Sequence, residues 1–372
     1  MVFHTSILNA DLSCPLSEKI DENYSIPKHD VLHSDRLKVI KEKQQKSKTT
    51  NDIFVLTEKY LFCSADDLTT EGNNIVFTAK VRISLQWIMC NFETKDSEKG
   101  KKHFIEFIKN NKKIVCDALS EDRFNKWREV LRARVVHMNF HNKYRIDGLS
   151  PPKNKSYLVK MVENESGEIF LVEKINKEML KGDTAVVSMV ERIETLKNLT
   201  EFSGVLRFKE VHETGHSLYI IYDPYFGGPV FSHNSKYTTA DFLIILKSVL
   251  SILKALEVKG ISHNYIRPKS IYFKYSGKSI AQNEIILTNL SKVKRVKQQY
   301  EDSFGQMSPV DLLKEGLSDN KAYNQDVVDL GRTCLNLFYY AQYNKLIDNG
   351  ADYVSIINSP SFFMSSSRNL TS

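Results

Sequence analysis

The sequence predicts a multidomain α+β protein. Its 372 residues are enough for two or three domains. Short segments that alternate apolar and polar residues, such as 53–57 and 81–87, predict β-strands in the first third of the chain. Apolar residues at helical spacing, Phe124, Trp127, Leu131 and Val135, then predict one helix that begins after Ser120. Further strands and a long apolar helix, which Thr238 and Asp241 cap and which ends near Val258, predict a second domain.

The composition is typical of a soluble globular protein and argues against a disulfide framework, a zinc framework and a membrane-spanning segment. Hydrophobic residues make up 41% of the chain and charged residues 26%, and the net charge is +7. The five cysteines show no C-x-x-C spacing, which indicates reduced thiols rather than a disulfide or zinc framework. No apolar run approaches the roughly 20 residues that span a bilayer. We therefore expect a cytoplasmic protein without a nucleic-acid partner.

The first domain extends over about 34–138, after a polar segment (1–33) that we expect to be a disordered extension. Six or seven short strands closed by one helix with an inward Trp127 resemble a pleckstrin homology (PH) domain. The segments Ile53-Phe-Val-Leu-Thr57 and Phe124-Asn-Lys-Trp127 carry this resemblance. It implies a β-barrel or sandwich with a C-terminal helix.

Lysines follow the first predicted strand of this domain, where PH domains have the loop that contacts phosphoinositides. A solvated, lysine-rich turn is the alternative, and Asp52 stands where such domains usually have Arg. The resemblance implies weak contact with phosphoinositides or anionic membranes at the candidate lipid-binding residues Lys41, Lys43, Lys46 and Lys48.

The segment Ile261-Ser-His-Asn-Tyr-Ile-Arg-Pro-Lys-Ser-Ile-Tyr-Phe273 resembles the catalytic loop of a protein kinase. In kinases the sequence of this loop is H-R-D-x-x-x-x-N, in which the Asp is the catalytic base and the Asn is a magnesium ligand. Tyr265 replaces the Asp and Ser270 replaces the Asn, while His263 is kept. A phenol that titrates near pH 10 is a poor base at neutral pH. The loop thus has kinase architecture without the catalytic groups.

Further kinase landmarks recur in order with altered residues. The positions of the glycine-rich loop fall on Pro151, Lys153 and Ser156. Phe170-Leu-Val-Glu173 matches V-A-I-K, so Glu173 stands where kinases have the phosphate-binding lysine, and Arg192 stands where they have its partner Glu. We hypothesise a reversed Glu173–Arg192 salt bridge; two independent, solvated side chains are the alternative.

The last landmarks are similar to I-K-L-T-D-F-G and D-V-W-S-L-G. Asn289 replaces the magnesium-binding Asp, and Asp326 is kept for an architectural role, accepting backbone N–H bonds from the catalytic loop. The resemblance covers 140–358, with an N-lobe of about 140–224 and a truncated C-lobe of about 225–358. We expect a disordered tail over 359–372. The resemblance is closest to the calcium/calmodulin-kinase-like group, and the PH–kinase order is similar to fusions in protists.

These losses predict a catalytically inactive, kinase-like protein (a pseudokinase) that binds neither ATP nor magnesium. It would act as a scaffold or allosteric regulator through other proteins, such as an active kinase, with possible peripheral membrane contact. Two alternatives stay open. One is an active or residually active serine/threonine kinase that binds ATP, and the other is a degenerate kinase paralogue without a selected function.

Overall fold

The computed structural model describes residues 16–40, 50–64, 67–85, 87–98, 100–109, 112–146, 158–180, 183–230, 237–295 and 325–334. The chain divides into two compact units, of which the first comprises 1–202 and 207–224 and the second 203–206 and 225–372. The fold is mixed α/β, with one large sheet and few helices among the described residues.

The first unit begins with an antiparallel meander closed by a helix. Seven of its strands are paired in the order β6-β4-β3-β2-β9-β8-β7. The elements are β1 Ser17–Pro27, β2 His33–Ile40, β3 Thr50–Leu56, β4 Tyr60–Ser64, β5 Thr69–Glu71, β6 Asn74–Ser84, β7 Met89–Ser97, β8 Gly100–Lys109, β9 Lys112–Asp117 and α1 Glu121–Leu131.

The predicted N-cap of α1 and the burial of Phe124, Trp127 and Leu131 are confirmed, whereas Val135 is buried but lies beyond the end of the helix. The Ser120 hydroxyl accepts a hydrogen bond from the Arg123 N–H at 3.3 Å, which satisfies a donor that has no partner within the helix. Trp127 and Leu131 are fully buried in the core of the meander, where Trp127 contacts the His33 ring. One face of α1 therefore supplies the apolar plug that the spacing predicts.

The expectation that 1–33 is a disordered extension is wrong for the residues that the structure describes. β1 pairs antiparallel with β6, from Ser17 opposite Ile83 to Pro27 opposite Asn74. Its apolar residues Ile20, Tyr24 and Ile26 pack on a small cluster around Phe77. A register shift between Lys19 and Glu22 interrupts the alternation, and so the sequence pattern hides the strand.

The same sheet continues beyond the meander. The second part of the first unit comprises β10 Val136–His137, α2 Phe140–Lys143, β11 Tyr144–Ile146, β12 Leu158–Glu163, β13 Ile169–Asn176, α3 Asp183–Lys197, β14 Phe208–Glu213 and β15 Ser217–Tyr222. β10 pairs in parallel with β7 on one side and with β14 on the other. The boundary predicted at 138–140 therefore lies inside one compact unit and not between two.

The second unit contains the long predicted helix and short strand pairs. Its elements are α4 Thr239–Val258, β16 Ile261–Ser262, β17 Ile271–Phe273, β18 Ile285–Leu287, β19 Lys294–Arg295 and a helical segment over 325–334. Thr238 and Asp241 form the predicted capping box at the start of α4. No helix in the described part of the chain is both long and apolar enough to cross a membrane.

Candidate functional site

The charged residues of the kinase-like β13 and α3 meet in a buried cluster in the first unit. β13 alternates, so that Phe170 and Val172 enter the apolar core while Glu173 points to the opposite face. Arg192 of α3 donates to Glu173 from both terminal nitrogens, at 3.1 Å to Oε1 and 2.6 Å to Oε2. The reversed ion pair hypothesised from the sequence is therefore present.

Tyr222 completes this cluster, which we call the Glu173 cluster (Glu173, Arg192 and Tyr222). Its hydroxyl donates to Glu173 Oε2 at 3.0 Å and lies 3.4 Å from Arg192. The side chains of Glu173 and Arg192 are only 10% and 7% exposed. Burial disfavours the Arg192 cation, but Tyr222 and Glu173 outweigh this and raise its pKa. Both charges are thus neutralised within the cluster.

Lys174 does not compensate for the missing lysine. Its side chain is exposed and lies over the Tyr219 ring, 6.0 Å from the centroid, on the face of β13 opposite to Glu173. A shift of one residue on a strand has this result, because successive side chains point to opposite faces.

The catalytic-loop remnant lies in the second unit and is held by Asp326. The Asp326 carboxylate accepts the backbone N–H of His263 at 2.8 Å and of Asn264 at 2.6 Å, and the Ser262 hydroxyl at 2.9 Å. These are the architectural bonds that the resemblance implies. Asn264 is in the left-handed region with φ 57°, so the loop turns sharply before Tyr265.

His263 is fully buried and bonds through Nε2 to the Thr288 carbonyl at 3.1 Å. Burial lowers its pKa to about 4, so the imidazole is neutral at pH 7. Its part in the loop is accordingly a packed, uncharged side chain rather than a proton carrier.

The degenerate positions of the loop are engaged by their own neighbours. The Ser270 hydroxyl is buried, donates to the Arg267 carbonyl at 2.8 Å and accepts the Arg267 N–H at 2.9 Å. The half-buried ring of Tyr265 lies between two cations, with Arg267 at 4.5 Å and Lys292 at 5.2 Å from its centroid. Asn289 accepts the Ser291 hydroxyl at 2.8 Å.

The remaining predicted site residues fall elsewhere. All three glycine-loop positions and the four candidate lipid-binding residues lie outside the described residues: Pro151, Lys153, Ser156, Lys41, Lys43, Lys46 and Lys48. Gly227 is required by packing, since an added Cβ would clash with the Phe273 carbonyl oxygen.

A second buried ionic cluster in the first unit was missed by sequence reasoning. Glu210 of β14 is fully buried and accepts Arg132 Nε at 2.9 Å and Lys143 Nζ at 2.8 Å. Tyr144 donates to the same carboxylate, and His212 Nε2 lies 2.8 Å from Oε1. Arg132 follows α1, whereas Lys143 ends α2, so the Glu210 cluster connects the meander to the kinase-like strands. Glu210 stands between Lys209 and Val211, and this local sequence gives no sign of the cluster.

The Glu210 cluster also contains a potential metal-ligand set. The ligand atoms of His137, Glu210 and His212 lie within 4.8 Å of one another. However, His137 Nε2 is already 2.8 Å from the Arg132 carbonyl. The cations Arg132 and Lys143 also face the acids Glu210 and Glu163. A divalent ion would add two charges to a balanced site, so these residues do not fit one.

Burial controls the protonation of the two imidazoles. Burial lowers the pKa of His137 to about 3 and also lowers the pKa of His212, so both are neutral at pH 7. Burial alone would raise the pKa of Glu210, but its interactions with His212, His137 and Lys143 hold that pKa well below the ordinary value. The cluster is therefore an ionised carboxylate held by two cations and two neutral rings.

Comparison with known proteins connects the chain to kinases. No protein-family model matches it. It is 25% identical over 173 residues to calcium-dependent protein kinase 24 of Arabidopsis thaliana, covering 46% of this chain and 29% of that protein. It is 26% identical over 181 residues to mitogen-activated protein kinase kinase kinase 9 of the same plant, covering 47% of this chain and 22% of that protein.

A third relative comes from an amoeba. The probable myosin light chain kinase DDB_G0282429 of Dictyostelium discoideum is 23% identical over 109 residues, covering 28% of this chain and 34% of that protein. The matches thus span about a third or less of each relative's length. They show distant homology to protein kinases and support a kinase-like domain in this chain.

Proposed function

We propose that this chain is a catalytically inactive, kinase-like protein that acts by binding other proteins. The observation that carries the proposal is the Glu173 cluster. Kinases need a cation at the position of Glu173 to contact the phosphates of ATP. Here a carboxylate takes that position, and Arg192 and Tyr222 occupy both of its oxygens. The position therefore supplies no cation that could contact a phosphate.

The catalytic-loop remnant supports the same proposal. Tyr265 lies beside two cations, and the Ser270 hydroxyl is hydrogen-bonded to the Arg267 backbone. Asn289 offers no charge to a hard divalent ion. The residues present therefore do not fit magnesium-ATP, while Asp326 and His263 preserve the shape of the loop.

Two further roles follow from this proposal. A protein that keeps the kinase fold without its chemistry is suited to regulate an active kinase, as a scaffold or an allosteric partner. The antiparallel order β6-β4-β3-β2-β9-β8-β7 and the closing helix α1 support a PH-like domain. Weak contact with anionic membranes through Lys41, Lys43, Lys46 and Lys48 belongs to this proposal. Residual kinase activity and a paralogue without a selected role are the competing hypotheses.

The test of inactivity is a thermal-shift measurement with ATP, with and without magnesium or manganese, beside a phosphotransfer assay. An active calcium-dependent protein kinase is the positive control. We expect no saturable shift and no transfer above a blank. A magnesium-dependent shift with measurable turnover would overturn the proposal. Turnover of equal size after a mock purification from cells that lack this chain would identify a contaminant instead.

Membrane contact is tested separately with liposomes. Vesicles with 5% phosphatidylinositol bisphosphate are compared with pure phosphatidylcholine at 50 and 200 mM salt. We expect weak binding to the anionic vesicles that decreases with salt and is lost when the four lysines are replaced by Ala. A matched variant replaces the exposed Lys80, Lys101, Lys102 and Lys112 instead. Equal loss in both variants would show a general charge effect.

A further inference from the structure

A cleft in the first unit runs beside the outer part of β7. Its volume is about 610 Å³, within the range of ligand sites in proteins. Its lining residues include Phe124 and Arg128 of α1 and Asn142 and Lys143 of α2. β7 itself contributes Asn91–Lys95. Residues of two helices and of one strand therefore line the cleft.

β10 covers only the first residues of this strand. It pairs with Met89 and Cys90 in parallel, and the Met138 N–H donates to the Cys90 carbonyl at 3.1 Å. Asn139 then adopts the left-handed conformation with φ 59° and turns the chain into α2. Its side-chain amide donates to Asn91 Oδ1 at 2.7 Å. From Asn91 onwards, β10 therefore no longer covers the edge of β7.

The hydrogen-bonding pattern identifies the open backbone groups. The carbonyls of Ile88 and Cys90 point to β10, where they accept bonds. Because such groups alternate along an antiparallel strand, the N–H and C=O of Phe92, Thr94 and Asp96 point away from β8. Within the described ranges no strand pairs with this stretch, so its donors and acceptors form an open edge along the cleft.

The side chains around the cleft carry charges that already have partners. Lys113 bonds Glu106 at 2.9 Å, and Arg128 bonds Glu165 at 2.6 Å. Lys143 is held by Glu210. Beside them, the rings of Phe92 and Phe124 make an edge contact at 5.7 Å. The cleft therefore offers an apolar wall and a regular row of backbone groups, rather than a free charge for an ionic ligand.

We propose that an extended peptide segment of a partner protein binds in this cleft as an added strand beside Phe92–Asp96. A strand lies about 4.8 Å from its neighbour, and only an extended backbone presents donors and acceptors at the matching period. The occupant is a single segment without proline at the pairing positions, with an uncharged side chain directed at Phe92 and Phe124. This inference rests on the proposed protein-binding function and names its surface.

The first experiment measures amide hydrogen exchange on the full free chain. We expect slow exchange at Asn91, Glu93 and Lys95, whose N–H groups point to β8. We expect fast exchange at Phe92, Thr94 and Asp96, whose N–H groups point away from it. Slow exchange at all six amides in the free chain would overturn the proposal, since another part of the chain would then cover the edge.

The second experiment pans a displayed library of linear nine-residue peptides against the full chain and measures the enriched peptides by fluorescence anisotropy. Thr94→Pro removes one outward N–H without removing a backbone bond to β8, because proline suits an edge strand. Thr94→Pro and Thr94→Ala both remove the contact of the Thr94 hydroxyl with His103 Nδ1 at 3.1 Å, so the comparison isolates the N–H. Thr94→Ala is the matched control. We expect binding at least tenfold weaker in Thr94→Pro and changed less than twofold in Thr94→Ala, with both variants melting within a few degrees of the wild type.

Methylating the peptide backbone distinguishes a strand from other binding modes. N-methylation at successive positions of an enriched peptide should weaken binding at alternate residues only. Binding that is indifferent to Thr94→Pro, or loss without alternation, would overturn the added-strand proposal. Failure to enrich any peptide over a Thr94→Pro target would do the same. None of these outcomes bears on phosphotransfer, so the proposed inactivity stands or falls by its own assay.

Discussion

The Glu173 cluster makes a quantitative prediction about stability. Glu173→Gln leaves the Arg192 cation buried without its carboxylate, and Arg192→Met leaves the Glu173 anion buried with only the Tyr222 hydroxyl. Removing one partner of a buried pair costs about 3–5 kcal/mol. Replacing both partners by neutral groups of similar volume is often nearly neutral, so we expect the double variant to be no less stable than either single one.

The magnitude follows from the geometry of the pair. The guanidinium makes two parallel bonds to one carboxylate, and both side chains are about 90% buried. Such pairs are the strongest kind of charge-assisted hydrogen bond. We expect a coupling free energy of about 3 kcal/mol or more in the double-mutant cycle, because the double variant should lose no more stability than either single one.

The assay is urea unfolding followed by tryptophan fluorescence. Both tryptophans of the chain, Trp87 and Trp127, are buried in the first unit, so the signal reports on the unit that contains the pair. The half-exposed Glu18–Arg82 pair is the matched control, and its cycle should yield about 1 kcal/mol or less. Effects of Glu173→Gln and Arg192→Met that add to within about 0.5 kcal/mol would refute the reasoning.

Three further predictions concern the other buried groups. Glu210→Gln should lower the free energy of unfolding by about 3–5 kcal/mol, because Lys143 loses its carboxylate. Substitution of the exposed Glu165 by Gln is the control, and an equal loss of stability in both variants would refute this prediction. The pKa of His137 is lower folded, about 3, than unfolded, about 6.5. The unfolded chain therefore binds the extra proton, and stability should fall as the pH drops from about 6.5 towards 3. Urea unfolding at pH 7.5, 6 and 5 measures the slope, and His137→Asn should reduce it; an unchanged slope contradicts the assignment. Asp326→Ala should speed hydrogen exchange at the His263 and Asn264 amides about tenfold or more, at about 1.4 kcal/mol per factor of ten, whereas Asp329→Ala should not.

The local features of the fold could be predicted where one residue type has one physical role. Ser120 and Thr238 begin their helices as expected, because a side-chain oxygen before an apolar run satisfies free N–H groups. Trp127 is buried because a large apolar ring on the apolar face of a helix is stabilised by packing in the core. The Glu173–Arg192 contact was predictable because two inverted charges fell on positions that face each other in kinases.

The features that were missed depend on contacts distant in sequence. β1 reads as a polar tail, since its burial comes from packing on Phe77 about fifty residues later. The Glu210 cluster joins residues that are 66 to 78 positions apart in the sequence, and no local pattern predicts such contacts. The open edge of β7 exists because β10 turns away at Asn139, which no periodicity in β7 reveals.

The two-residue strand β10 has a consequence for how this chain can be dissected. It lies between β7 and β14, so a fragment ending at residue 138 or beginning at 140 would separate strands that share one ladder. A fragment that begins at 140 would also keep Glu210 but lose Arg132. Loss of binding in either fragment would then report misfolding instead of locating a function. Point substitutions in the intact chain, rather than the exchange or deletion of modules, are the means by which its parts can be assigned.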